Sequence, residues 1–126
     1  MFTDEFTRFK RVKVLTNKPD WLRALKDYVV YTGWKLREIF QDYGTELNSN
    51  AVKAYCKDEN IVISNSPAGE PDSNGIAESA IRQTKLVATR IMEQASCPEP
   101  MWGYAVMFAE AIMNASYHEA IKTTPF

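Results

Sequence analysis

Apolar residues change their spacing several times along the chain, and each change predicts an element. Val12 and Val14 alternate with Arg11 and Lys13, which reads as extended chain from Phe2 to Leu15, folded into a hairpin if the polar stretch Asp4 to Arg8 turns. Trp21, Leu22, Leu25, Tyr28 and Val29 then recur at helical spacing, with Asn17 or Thr16 as cap, Pro19 and Asp20 in the first turn and Gly33 as the stop. The run Trp34 to Gln41 is too short for another helix before Gly44, and its Leu36, Ile39 and Phe40 suit a buried strand. Asn48, Ser49 or Asn50 caps a short helix that keeps Val52, Tyr55 and Cys56 on one face until Asn60, and Ile61-Val62-Ile63 follows as a strand. From Ser64 to Asn74 the residues are Ser, Asn, Pro, Ala, Gly, Glu and Asp, the composition of a mobile loop. Ser73 or Asn74 caps the longest helix, whose expected buried stripe is Ala77, Ile81, Thr84, Val87, Ala88 and Ile91. It ends by Cys97-Pro98, and a last helix carries Met101, Trp102, Ala105, Val106, Ala109, Ile112 and Met113 on a broad apolar face.

Composition narrows the classes. With 126 residues and 45% hydrophobic content the chain can bury one modest core, so a single domain is expected and disorder is not. Charge interrupts every apolar run within a turn or two, and the first residues lack a signal-peptide pattern, so the expected location is intracellular, nuclear or cytoplasmic. Cys56 and Cys97 have no C-x-x-C partner and read as reduced thiols, and the one histidine, His118, leaves no His/Cys zinc module. A net charge of −1 argues against a free-standing, high-affinity nucleic-acid binder, so any DNA contact must be local. Basic residues do cluster, at Arg8, Lys10, Arg11 and Lys13 and again at Arg82, Lys85 and Arg90 on the longest helix.

Two acids stand out by position. Asp42 closes the apolar run before Gly44, and Glu78 follows Asn74-Gly75 at the start of the longest helix, with 35 residues between them. Carboxylates of this kind can hold a pair of divalent ions about 4 Å apart, which together activate an attacking oxygen and stabilise a leaving one. Hard carboxylate ligands suit Mg²⁺. Arg82 and Lys85 lie four and seven residues after Glu78, on its face of the helix, where they could touch phosphates or merely face solvent. Asp4 is also an acid in a strand region, but its setting is that of a turn or bulge residue.

The segments Gln41-Asp42-Tyr43-Gly44-Thr45-Glu46-Leu47, Ser66-Pro67, Asn74-Gly75-Ile76-Ala77-Glu78, Trp102 and Thr124-Pro125 resemble the integrase catalytic core of retroviruses and retrotransposons. They look most like the Copia group of long-terminal-repeat retrotransposons. The resemblance implies an α/β fold, a ribonuclease-H-like mixed sheet flanked by helices, here lacking its first strand, as one partial catalytic domain over 1–126. It implies 3′-end processing and strand transfer in the intact parent, with Asp42 and Glu78 as the second and third metal-binding acids and Mg²⁺ or Mn²⁺ as cofactor, two ions together. Asn74, Arg82 and Lys85 would lie at the DNA, and element ends, target duplex and other integrase subunits would be the partners. The first acid of the family belongs to the absent strand, so the chain alone is expected to be inactive. The alternative reading is a non-catalytic remnant that binds DNA or other subunits, or a relic without function. Ala115 departs from the family's Asn-Arg pair at this place, and Asn114-Ala115-Ser116 carries no weight as a glycosylation site without a secretory signal.

Overall fold

The computed structural model describes residues 1–41, 48–65 and 74–126. They fall into two compact units, one made of Met1–Val14 with Ile76–Phe126 and the other of Leu15–Gly75.

The first unit opens with a hairpin of β1 (Phe2–Thr3) and β2 (Lys10–Arg11), antiparallel, with Phe2 opposite Arg11 and Thr3 opposite Lys10. Its turn is built by Asp4, whose Oδ1 accepts the Thr7 N–H at 2.6 Å and the Thr7 hydroxyl at 2.7 Å. Arg8 adopts a left-handed φ of 61°, and Asp4 N–H then donates to Phe9 O at 2.9 Å. The extended stretch expected as far as Leu15 is thus a much shorter ladder. Beyond Arg11 the Val12 N–H, on the same side of the chain as that of Lys10, donates to the Glu110 carboxylate at 2.6 Å.

Two helices complete this unit, α3 (Gly75–Gln94) and α4 (Trp102–Ala115). They meet at Ala88, Ala105 and Ala109, with Val87, Ile91, Met92 and Val106 packed around. Small side chains at the crossing let the helix axes approach. The buried stripe of α3 is Ala80, Thr84 and Ala88, spaced by four, so the expected Ile81 lies outside it at 41% exposure. The Thr84 hydroxyl stays satisfied by donating to Ala80 O at 2.7 Å. On α4 the outer side keeps Tyr104, Met107, Phe108 and Ile112 exposed, so Ile112 leaves the apolar face assigned to it.

What holds the hairpin to α4 is polar. Asn114 accepts the Lys10 N–H at 2.9 Å and returns its own Nδ2–H to Lys10 O at 2.8 Å, as a neighbouring strand would. One turn earlier, Glu110 pairs with Arg11 at 3.0 Å and accepts the Val12 N–H. Both side chains are buried. The Phe9 and Phe126 rings, 6.5 Å apart, and the Phe126 N–H on Asn114 O at 3.0 Å bring the end of the chain to the same place.

The second unit starts with a 3-10 turn, Lys18–Asp20, running into α1 (Trp21–Thr32). Here Asp20 accepts the Asn17 N–H at 3.3 Å, the reverse of the expected cap, while Gly33 ends the helix with a φ of 64° and an N–H bond to Val29 O. Ala24, Leu25 and Tyr28 are its buried face. The strand β3 (Glu38–Gln41) pairs in parallel with β4 (Val62–Asn65), and α2 (Asn50–Asp58) connects them in the chain. Ser49 caps α2 by accepting the Val52 N–H at 3.3 Å, Val52 and Cys56 are buried, and Asn60 stops the helix at a φ of 56°. β4 runs two residues past the expected end, into what composition marked as loop, because polar rungs continue the ladder: Ser64 Oγ donates to Glu38 and Gln41 Nε2 donates to Asn65 Oδ1 at 2.7 Å. Phe40, expected inside a buried strand, is 43% exposed. The described strands therefore form a mixed α/β chain with one antiparallel and one parallel pair, in two small sheets.

Candidate active site

Helix α3 positions three of the expected residues. Asn74 lies in the turn just before it, and Glu78 occupies its first turn, at the positive end of the helix dipole. Arg82 and Lys85 follow at four and seven residues, so the carboxylate and both cations share one helix face. All three are exposed, and among the described residues neither cation is held in an ion pair. Asp42 lies outside the described residues, as do Glu46 and Ser66-Pro67. Gln41, directly before Asp42, is the last residue of β3, which agrees with a strand leading to the acid.

No group of three His, Cys, Asp or Glu side chains that could hold a metal stands together among the described residues. The donor chemistry of Glu78 fits a hard divalent cation: it is an exposed carboxylate with no soft ligand in its helical turn. Asp4 is engaged in its turn through two hydrogen bonds to Thr7, the setting expected for it.

Other titratable groups are displaced by their surroundings. Burial pushes the Cys56 thiol up. Lys10 is held below its ordinary value, first by burial and then by the Arg8 charge, and His118 is lowered by burial and then by Lys10 and Arg8. Glu110 was not read from the sequence, and Asn114 was met there only in a glycosylation pattern, not as a partner of Lys10. The signal was present, because Glu110 is the one charged residue in an otherwise apolar and neutral helix, a position where charge needs a partner.

No family model matches the chain. Solved structures do. The HTLV-2 integrase catalytic core domain in complex with magnesium, in a trimeric form, superposes with a TM-score of 0.77 at 17% identity, over 98% of this chain and 78% of that one. The catalytic core domain of BIV integrase gives 0.66 at 19% identity, over 91% and 73%. A chain of the simian T-cell lymphotropic virus intasome, in complex with PP2A regulatory subunit B56 gamma, gives 0.79 at 16% identity, over 98% of this chain and 44% of that one. The class that follows is one of fold: the chain has the mixed α/β fold of retroviral integrase catalytic cores.

Proposed function

We propose that this chain is the integrase catalytic core of a Copia-type long-terminal-repeat retrotransposon, and that its intact parent processes the 3′ ends of element DNA and joins them to a target duplex. The observation that carries the reading is the placement of Glu78, Arg82 and Lys85 on one exposed face at the start of α3, in a chain with the fold of integrase cores. The finer architecture we propose is ribonuclease-H-like, with a first strand between the hairpin and β3 that these residues do not supply. That missing strand would bring the first of the three acids.

Asp42 and Glu78 are proposed to hold Mg²⁺, or Mn²⁺ in its place. When bound, a pair of such ions activates the attacking oxygen and stabilises the leaving one. The rest falls to the chain's own groups. Glu78 contributes hard oxygens from a rigid helical turn, which fixes their direction. Arg82 and Lys85 grip backbone phosphates one and two turns further along, which sets the register of the DNA without reading its sequence. Asn74, at the entry to the helix, offers an amide to the same strand. Other integrase subunits are the proposed protein partners.

Two measurements test this. Mn²⁺ added to the protein should broaden NMR signals around Glu78 and Gln41, and Asp42→Asn or Glu78→Gln should abolish the effect; broadening that ignores both substitutions would refute the metal assignment. In a joining assay on labelled duplex, residues 1–126 alone should not turn over. Turnover that both substitutions abolish would show that another acid of the chain already takes the place of the first.

A further inference from the structure

Three polar side chains on the hairpin have left water without finding an adequate protein partner. Thr3 Oγ1 and Arg8 Nε are buried and have no hydrogen-bond partner among the described residues. Lys10 is 2% exposed, and its Nζ reaches only the Arg8 carbonyl, at 3.1 Å, with no carboxylate among the described residues paired to it. Buried polar groups are nearly always satisfied, and a buried cation without a counter-charge is the costliest exception.

The three belong to one spot. Thr3 faces Lys10 across the ladder. Because the Lys10 N–H and C=O are both turned to Asn114, the two residues form a non-hydrogen-bonded pair, the kind in which side chains approach most closely. Arg8 precedes Lys10 by two residues and is held by its left-handed backbone. His118 arrives from the segment after α4, which its N–H ties to Thr123 O at 2.8 Å and which Phe126 returns to the hairpin through Asn114 O and the Phe9 ring; Lys10 and Arg8 lower its proton affinity after burial does. Its Nδ1 accepts the Ala120 N–H at 3.3 Å, so the proton of the neutral ring is on Nε2. The nearby acids are committed elsewhere, Asp4 to Thr7 and Glu110 to Arg11 and Val12.

We propose that Thr3, Arg8, Lys10 and His118 form a binding site for a phosphate group. Each can donate to it: a hydroxyl, a guanidinium N–H, an ammonium and an imidazole N–H. Arg and Lys cannot accept at all, so whatever satisfies them must be an acceptor. A tetrahedral oxyanion offers oxygens in several directions and also neutralises the clustered charge, which water does not. The proposal is independent of the integrase reading, since free phosphate and a nucleic-acid phosphodiester present the same oxygens.

The test is an NMR titration of the chain with inorganic phosphate, against chloride at equal ionic strength. Saturable shifts at Thr3, Arg8, Lys10 and His118 are expected, with affinity weakened about tenfold or more in Lys10→Met, as for a lost charge-assisted bond. Thr3→Val, which keeps the volume and removes the hydroxyl, is the second variant and should also weaken binding. A short DNA duplex is then added: displacement of phosphate assigns the site to a phosphodiester, and failure to displace assigns it to a small phosphate. Shifts that do not saturate, or that are identical in both variants, would overturn the proposal and leave the donors to buried water.

Discussion

Replacing Asn114 with alanine should cost more than any other single side-chain truncation on α4. The substitution removes the acceptor of the Lys10 N–H and the donor to the Lys10 C=O at once. Both backbone groups belong to a residue only 2% exposed, so water cannot readily replace the amide. An orphaned buried group costs about 1–3 kcal/mol, so the pair should cost about 2–6 kcal/mol. Against a total of about 5–15 kcal/mol for a domain, that is a large share. Chemical denaturation measures the global loss, and hydrogen exchange at Lys10 measures the local one. At about 1.4 kcal/mol per factor of ten, protection of that amide should fall about thirtyfold or more. Asn114→Asp is the control: it keeps an acceptor for the N–H and loses the donor, so it should lower stability while sparing more of the amide protection. A loss in Asn114→Ala below about 0.5 kcal/mol, the range of ordinary surface changes, with Lys10 still protected, would refute the view that Asn114 stands in for a strand.

Arg82→Ala combined with Lys85→Ala should weaken duplex binding and lower the magnitude of the log-affinity against log-salt slope by about 1.8, at about 0.9 for each phosphate no longer neutralised. An unchanged affinity and slope would make this face of α3 a solvated one. At neutral pH iodoacetamide should modify Cys97, which is partly exposed, long before Cys56, which is buried with its thiol pushed up; equal rates in the folded protein would contradict the packing of α2. His118 titrates below 6.5 in the folded chain, so the unfolded chain binds the proton more readily and stability should fall as pH drops through about 6.5 towards the folded value. His118→Asn should flatten that part of the stability curve, and an unaltered slope there would remove His118 as its cause.

The helices were legible because their punctuation is local. Ser49 caps α2, Asn60 and Gly33 stop α2 and α1 in left-handed conformations, and no distant residue is needed to read them. The common face of Glu78, Arg82 and Lys85 was legible for the same reason, since spacing alone fixes it once the helix exists. The strands were harder. What the Val12 N–H pairs with depends on Glu110, ninety-eight residues away, and whether Ser64 and Asn65 continue β4 depends on Glu38 and Gln41. One member of the α3 stripe was misread, Ile81 for Ala80, because Ala80 is the less apolar of the two, while Thr84 and Ala88 lie buried as expected.

The hairpin's attachment to α4 has a consequence for how elements of different kinds can be matched. Glu110 and Asn114 are four residues apart, a rise of about 6.0 Å along a helix. Val12 and Lys10 are two apart, about 6.6 Å along a strand. The two repeats are nearly commensurate, so a helix can present side-chain amides and carboxylates to an extended chain at the intervals a sheet edge would use. The order, with Glu110 at Val12 and Asn114 at Lys10, fixes the chain direction as opposed to the helix. One step back along α4 stands Val106, which has nothing to accept a backbone N–H, and one step forward lies beyond the end of the helix at Ala115. Two polar residues on an apolar helix thus act as a vernier: they set position, polarity and length of the docked segment together, which apolar packing alone could not do.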